Sequence, residues 1–527
     1  MAYLDQAFQR GFRGGSSRRR FLQYTGSLAG AAIWSARSHG AVTQHPRFAA
    51  DPFQLGVASG DPASDGFVIW TRLAPRPIEG GGMPDEAVAV SWQVADDEAM
   101  TRIVREGTTV ATPDWAHSVH VEVDGLRPDR WYWYRFKAGG EISPVGRART
   151  VAAAGVTLPR LRFAFASCQH YEQGLFTAYE QMVRDDPDLI LHLGDYIYEY
   201  ACDEKAARRH VGPEIESLVD YRNRHALYKT DPLLREAHRL CTWAVAWDDH
   251  ECENDYANDV AEQEGVARDT FLARRAHAYQ AYYEHMPLRI ASVPRGPHMQ
   301  IYRRIPCGDL AEFFVLDTRQ YRTDQPCGGK NTWPCEAAHA PAATLVGDAQ
   351  ERWLLEGFAG SRARWNVIAQ QVMMARVDRA AGATEAYSMD QWPGYEMNRR
   401  RVLAALGRRP EANPLVIAGD IHSHWANDLI ADFDDLGSRV VATELVGTSI
   451  SSGGNGVAKP KTLAATLSEN PFVRFHNQQR GYVLCEATPQ ACRADFRVVD
   501  FVDRPGGTTT TAASFVVENG KPGLQPA

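Results

Sequence analysis

The 527-residue sequence has no apolar run near the roughly 20 residues that cross a bilayer, so no transmembrane segment is expected. It has no Gly-rich phosphate loop ending in Lys-Ser/Thr, which excludes P-loop chemistry; the Gly-rich Ser451-Ser452-Gly453-Gly454-Asn455-Gly456 reads as a mobile loop near the site. It has no internal repeat and no low-complexity block beyond a Gly/Thr-rich tail at 506–511, so fibrous and disordered chains are excluded. Positive charge is also short. With 57 Lys+Arg against 65 Asp+Glu, a formal net charge of −8, the chain lacks the basic face that a nucleic-acid-binding module or an anionic membrane surface requires. What remains is ordinary globular composition, 44% hydrophobic and 23% charged, at a length that supports roughly two to four domains and at least one large core.

Residues 1–41 read as an address. Ser17-Arg18-Arg19-Arg20-Phe21-Leu22 precedes a short, small-residue-rich apolar stretch at 24–34, with small residues again at 36–41, the layout of a cleavable signal of the twin-arginine type. A twin-arginine translocase is then the partner during export, and a periplasmic or secreted location follows. Loss of residues 1–41 leaves 51 basic against 64 acidic residues, a charge of −13. In an oxidising compartment the nine cysteines become candidates for disulfides. Cys327 and Cys335 are near enough in sequence to bridge, as are Cys485 and Cys492 across a hairpin turn at Thr488-Pro489; Cys202, Cys241, Cys252 and Cys307 could form two more bridges of open connectivity.

Two domains are expected after the signal. Residues 48–152 alternate apolar and polar in short runs at 66–71, 87–94, 118–123 and 131–136, which favours an antiparallel β-sandwich of the immunoglobulin/fibronectin type. Residues 158–527 carry apolar runs at 161–166, 189–193, 243–247, 312–316, 365–369 and 415–418, with helical patterns such as 178–184, 267–284 and 348–358 between them. That alternation is an α/β sheet core, whose sites form at the carboxyl ends of the strands. Four runs end in potential metal ligands: Ser167-Cys168, Gly194-Asp195-Tyr196-Ile197-Tyr198-Glu199, Asp248-Asp249-His250-Glu251, and Gly419-Asp420-Ile421-His422-Ser423-His424. One such end could merely cap a helix. Four converging in one crevice point to a metal centre.

The order of these segments resembles the calcineurin-like metallophosphoesterases, and their departures from that pattern resemble the PhoD-type alkaline phosphatases. Ser167-Cys168 stands where the wider family has Asp-x-His, Asp248-Asp249-His250-Glu251 where it has Gly-Asn-His-Glu, and Gly419-Asp420-Ile421-His422 where it has Gly-His-x-His. Leu55-Gly56-Val57-Ala58-Ser59-Gly60-Asp61-Pro62, Tyr221-Arg222-Asn223-Arg224, Leu316-Asp317-Thr318-Arg319-Gln320-Tyr321-Arg322 and Gln391-Trp392-Pro393-Gly394-Tyr395 extend the likeness over nearly all of the chain after the signal. The resemblance implies a four-layer α/β/β/α sandwich and a monomer acting on small-molecule phosphoesters.

It also implies the metals, Fe3+ with one or two Ca2+. Cys168, Asp195, Tyr198 and His422 are the expected iron ligands, and anionic donors with one imidazole suit a trivalent ion. Asp195 as a bridge, Asp420, and either Asp249 or Asn254 form an oxygen-rich set, which selects calcium or magnesium over zinc. Near neutral pH His250 suits contact with the phosphate or leaving group, although a structural hydrogen bond is equally open to it. Arg222 or Arg224 could clamp phosphate. Arg319 and His476 are weaker candidates for support behind the ligands, and His424 for support or plain surface. The expected reaction is metal-assisted, in-line hydrolysis of phosphomonoesters without a phosphoenzyme. Phosphodiester or phospholipase D-like hydrolysis is the alternative, and a non-catalytic exported metal or phosphate binder the minor one.

Overall fold

A computed structural model describes residues 42–527 apart from Ala207 and Ala381; the expected signal at 1–41 lies outside the described residues. Its centre is a pair of sheets packed face to face. In the first, Leu161–Ala166, Leu189–Leu193 and Thr242–Ala246 run parallel; in the second, Ala311–Val315, Trp365–Ala369, Pro414–Ala418 and Val440–Val446 run parallel. These strands are apolar on both faces because both are covered. Phe163, Phe165, Leu189, Leu191 and Leu193 meet Phe313, Val367, Leu415 and Leu445 between the sheets. Ala164, Ala166 and Ile190 face outward onto helices Ala178–Arg184, Leu218–Lys229, Pro232–Leu240 and Arg268–His285. Helices Gly347–Gly360 and Glu396–Gly407 cover the far side of the second sheet. The result is the expected α/β/β/α order, and alternate residues of single strands build separate cores.

The chain ends in antiparallel strands Arg480–Ala487, Ala491–Val499, Thr509–Glu518 and Lys521–Pro526, which widen the first sheet on the Leu161–Ala166 side. On its other side Val57–Ala63 joins in parallel with Thr242–Ala246, through Ser59 opposite Thr242 and Gly60 opposite Trp243. Gly66–Arg72 and Ser118–Val123 complete that edge. A separate sheet of Val88–Ala95, Ile103–Ala111, Trp131–Ala138, Glu141–Ile142 and Gly146–Arg149 packs over it through Val90, Val94, Tyr134 and Phe136 against Phe67, Ile69 and Val121. The N-terminal β-sandwich therefore shares a sheet with the α/β layers. Among the described residues no helix is long and apolar enough to cross a membrane.

Among the described residues one disulfide forms, Cys327–Cys335. The expected Cys485–Cys492 bridge does not. The hairpin pairs Cys485 with Ala494 and Cys492 with Ala487, so the two residues are diagonal rather than directly opposite; their side chains interact but stay free thiols. The two further bridges are absent as well. Cys241 and Cys252 are free thiols of the helix-covered core, Cys307 belongs to the inter-sheet core, and Cys202 is a half-buried free thiol.

Candidate metal centre

Parallel strands in both sheets deliver their carboxyl ends to one place. The turns that follow are tight: Cys168, Asp195, Asp420 and His422 all adopt left-handed backbone, with φ of 59, 54, 65 and 54°. For residues with a Cβ that conformation costs about 1–3 kcal/mol each and persists only where the surroundings hold it. The Cys168 N–H donates to Gly194 O at 3.1 Å and the Gln169 N–H to Asp195 O at 3.1 Å. Gly194 has φ +110°, and a Cβ there would lie 2.5 Å from the Asp248 Cβ, so a glycine lets two strand ends meet. Glu251 fastens the same junction, its carboxylate accepting the N–H groups of Asp195 at 3.1 Å, Tyr196 at 2.5 Å and Asp248 at 2.9 Å.

The ligating atoms of Cys168, Asp195 and His422 lie within 4.8 Å of one another, as do those of Asp195, Asp249 and His250. Asp195 belongs to both groups. Tyr198 joins the first: its hydroxyl donates to Asp195 Oδ2 at 2.9 Å and lies 3.3 Å from His422 Nε2, while Ser452 Oγ lies 2.8 Å from it. Asp195 Oδ1 is buried without a hydrogen-bond partner. Asp420 Oδ2 accepts from the Gln391 amide at 2.7 Å.

The electrostatics call for cations. Burial pushes Cys168 and Tyr198 well above their usual ranges, and the Asp195 charge pushes both further. Burial, outweighing the nearby His250, likewise raises Asp195, with Asp249 and Asp248 adding to it. Burial and then Asp390 raise Asp420 to about 7. His422, by contrast, is lowered to about 3 by burial and then Arg480, so its imidazole is neutral and can ligate. A fully buried arginine supplies part of the compensation: Arg319 reaches Asp248 at 2.5 Å, Asp249 at 3.5 Å and Asp390 at 3.0 Å. An orphaned carboxylate oxygen, an imidazole kept neutral and more buried acids than cations fit metal ions.

His250 is held from outside the cluster. Its Nδ1 lies 2.8 Å from Glu199 Oε2, and Glu199 Oε1 accepts the Asn254 N–H at 2.8 Å. Burial works against the imidazolium, but the charges of Glu199, Asp249 and Asp195 outweigh it and raise His250 well above its usual range.

The profile of the PhoD-like phosphatases matches residues 163–496, and that of their N-terminal domain matches 38–152. The chain belongs to the PhoD-like phosphatase family. It is 50% identical over 517 residues to alkaline phosphatase D of Bacillus subtilis (strain 168), over 96% of this chain and 88% of that protein. A solved structure of PhoD aligns with a TM-score of 0.89 and 50% identity, over 92% of this chain and 93% of that one. Membership makes the chain a phosphoester hydrolase.

Other expected residues of this PhoD-like chain lie elsewhere. Arg222 is no part of the cluster: it pairs with buried Glu284 at 2.5 Å and donates to Asp114 O at 2.9 Å, tying a catalytic-layer helix to the N-terminal sandwich. Arg222→Ala should cost about 3 kcal/mol of stability, because Glu284 stays buried without its partner, while KM for nitrophenyl phosphate stays within about twofold; denaturant unfolding and steady-state rates check both. Arg224 is buried and donates to the Tyr198 carbonyl. The Asn254 side chain turns away to Glu262. His424 is buried, its Nδ1 accepting the Thr448 N–H at 3.2 Å, and His476 stacks on Trp425 with ring centres 3.7 Å apart. Glu199 and Ser452 stand in recognised segments, yet no spacing rule assigns them a task. Asp390, one residue before Gln391-Trp392-Pro393-Gly394-Tyr395, has no sequence signal beyond that neighbourhood.

Proposed function

We propose that the chain is an exported alkaline phosphatase that hydrolyses small-molecule phosphomonoesters and, at the same centre, phosphodiesters. Cys168, Asp195, Tyr198 and His422 would hold Fe3+, and Asp195, Asp249 and Asp420 would hold one or two Ca2+. The observation that carries this reading is the membership of Asp195 in two groups of unlike donors, one with thiol, phenol and imidazole, the other rich in carboxylate oxygen. The hydrogen bond from Asn254 to Glu262 favours Asp249 over Asn254 as the oxygen ligand. When bound, such ions supply Lewis acidity for water activation and offset charge on the phosphoryl oxygens. The protein's own groups orient and move protons. Glu199 fixes the His250 ring through Nδ1, which leaves Nε2 to donate to phosphate or to carry a proton to the leaving alkoxide. The Asp249 carboxylate is held in turn by the Asp255 N–H at 2.7 Å.

The Ser17-Arg18-Arg19-Arg20-Phe21-Leu22 segment supports export through a twin-arginine translocase in the folded state, after metal loading. Expression in the native host, fractionation and metal analysis of the exported protein test both points. The expected result is extracytoplasmic protein with about one iron and one to two calcium ions per chain. Zinc alone, or retention in the cytoplasm, overturns the reading. Initial rates on nitrophenyl phosphate and bis-nitrophenyl phosphate should favour the monoester; a diester preference makes the enzyme a phosphodiesterase.

A further inference from the structure

Access to the centre comes from one side. Cys168, Asp195, Tyr198 and Asp249 are 1, 2, 2 and 3% exposed, so substrate cannot approach across them. Asp420, Ile421 and His422 are the partly open residues of the constellation. Beside them lies a pocket of about 200 Å3, lined among others by Asp378, Arg379, Ile421, Ser423, Trp425 and His476. Ile421 and Ser423 flank His422, so the pocket borders the turn that carries this ligand, although neither Asp420 nor His422 lines it.

The lining carries one carboxylate, one guanidinium and one imidazole. Asp378 turns into its own loop, its Oδ1 accepting the N–H groups of Ala380 at 3.0 Å and Ala386 at 2.9 Å. His476 is bound through Nδ1 to His424 O at 3.1 Å and stacked on Trp425; burial lowers it to about 4, so it is a neutral wall. Arg379 is the remaining cation. It is exposed, forms no ion pair among the described residues, and donates to Gln391 Oε1 at 3.2 Å. Gln391 in turn donates to Asp420 Oδ2 at 2.7 Å, which places the guanidinium one side chain away from a proposed ligand. An unpaired guanidinium, a flat aromatic wall and a volume suited to a small organic group describe a site for an anionic alcohol.

We propose that this pocket is the subsite for the alcohol half of the substrate, and that Arg379 selects phosphoesters whose alcohol carries a second anionic oxygen group. The inference rests on the phosphoester reading above. It is tested by the ratio of kcat/KM for 4-carboxyphenyl phosphate, or phenylene-1,4-bisphosphate, to that for phenyl phosphate, measured as phosphate release by metal-loaded enzyme. The wild-type ratio should be about fivefold, the upper range for a solvent-accessible ion pair, and should shrink as salt rises from about 0.01 to 0.5 M. Arg379→Ala should bring the ratio near unity for the carboxylate and near two for the bisphosphate, which has two equivalent esters, and Arg379→Lys should keep part of the preference. A fall common to all substrates cancels in the ratio and would mark Arg379 as a mere prop for Gln391 and Asp420. That result, or a wild-type ratio near unity, overturns the proposal. A preference for the bisphosphate without one for the carboxylate narrows the anion to phosphate. Failure of the phosphoester reading is distinct, since phenyl phosphate would then release nothing.

Discussion

Asp195→Asn is expected to lower kcat by at least about a thousandfold, roughly 4 kcal/mol of barrier, and to empty both proposed metal positions while the fold survives. The carboxylate belongs to both ligand groups, so an amide weakens both at once. The backbone at this position is held independently, by Glu251 on its N–H and Gln169 on its carbonyl, which is why the turn should persist. Stability gives an opposite sign. In metal-free protein Asp195 is buried among acids that resist its ionisation. Replacing this carboxyl, which burial keeps from ionising, by a neutral amide should therefore raise stability in chelator by about 1–3 kcal/mol even as activity vanishes. Metal content, initial rates and urea unfolding with and without chelator separate these effects; a variant with native activity and native iron would sink the assignment.

Arg319→Met should be the most damaging substitution to stability among residues that are not proposed ligands, at about 3–5 kcal/mol in urea unfolding. The guanidinium is fully buried and faces three carboxylates, Asp248 through Nε, Asp390 through Nη1 and Nη2, and Asp249 through the same Nη2. Arg322 also reaches Asp390, at 2.9 Å, but nothing replaces the charge at Asp248. Arg319→Lys keeps a positive charge and loses the planar fork, so it should recover only part of the loss. A cost under about 1 kcal/mol for the methionine variant would mean that the acids are neutral in the protein and that Arg319 does not hold them.

The sequence makes strand ends legible for a physical reason. A parallel sheet aligns the carboxyl ends of its strands, so Cys168, Asp195, Asp249 and His422, far apart in the chain, can be gathered from the apolar runs before them. The same pattern gives both strand-built regions and their order. It does not reveal that Val57–Ala63 pairs with Thr242–Ala246, because pairing between distant edges leaves no periodicity in either segment. Arg222 misleads for a related reason: its helix exposes the residue type suited to phosphate, while its partner Glu284 comes from another helix 62 positions on. Cys485 and Cys492 are placed diagonally, not opposite, by the hairpin register, which spacing alone leaves undetermined. The tasks of Glu199, Asp390 and Ser452 depend on contacts between loops, and loop geometry is what local patterns encode least.

The shared sheet also sets a timetable. Val57–Ala63 leaves the ribosome early, yet its parallel partner is not complete until Ala246 has emerged, roughly 180 residues and about 10–40 s later at ordinary rates of synthesis. Until then one edge of that strand is open to water and to other chains, although the sheet built from residues 88–149 can already cover one of its faces. The stretch between them also has to finish Leu161–Ala166 and Leu189–Leu193 before the edge can close. The edge of Val57–Ala63 is thus among the first parts made and the last to be paired, and a nascent chain cut short before Thr242 would carry an unprotected strand edge.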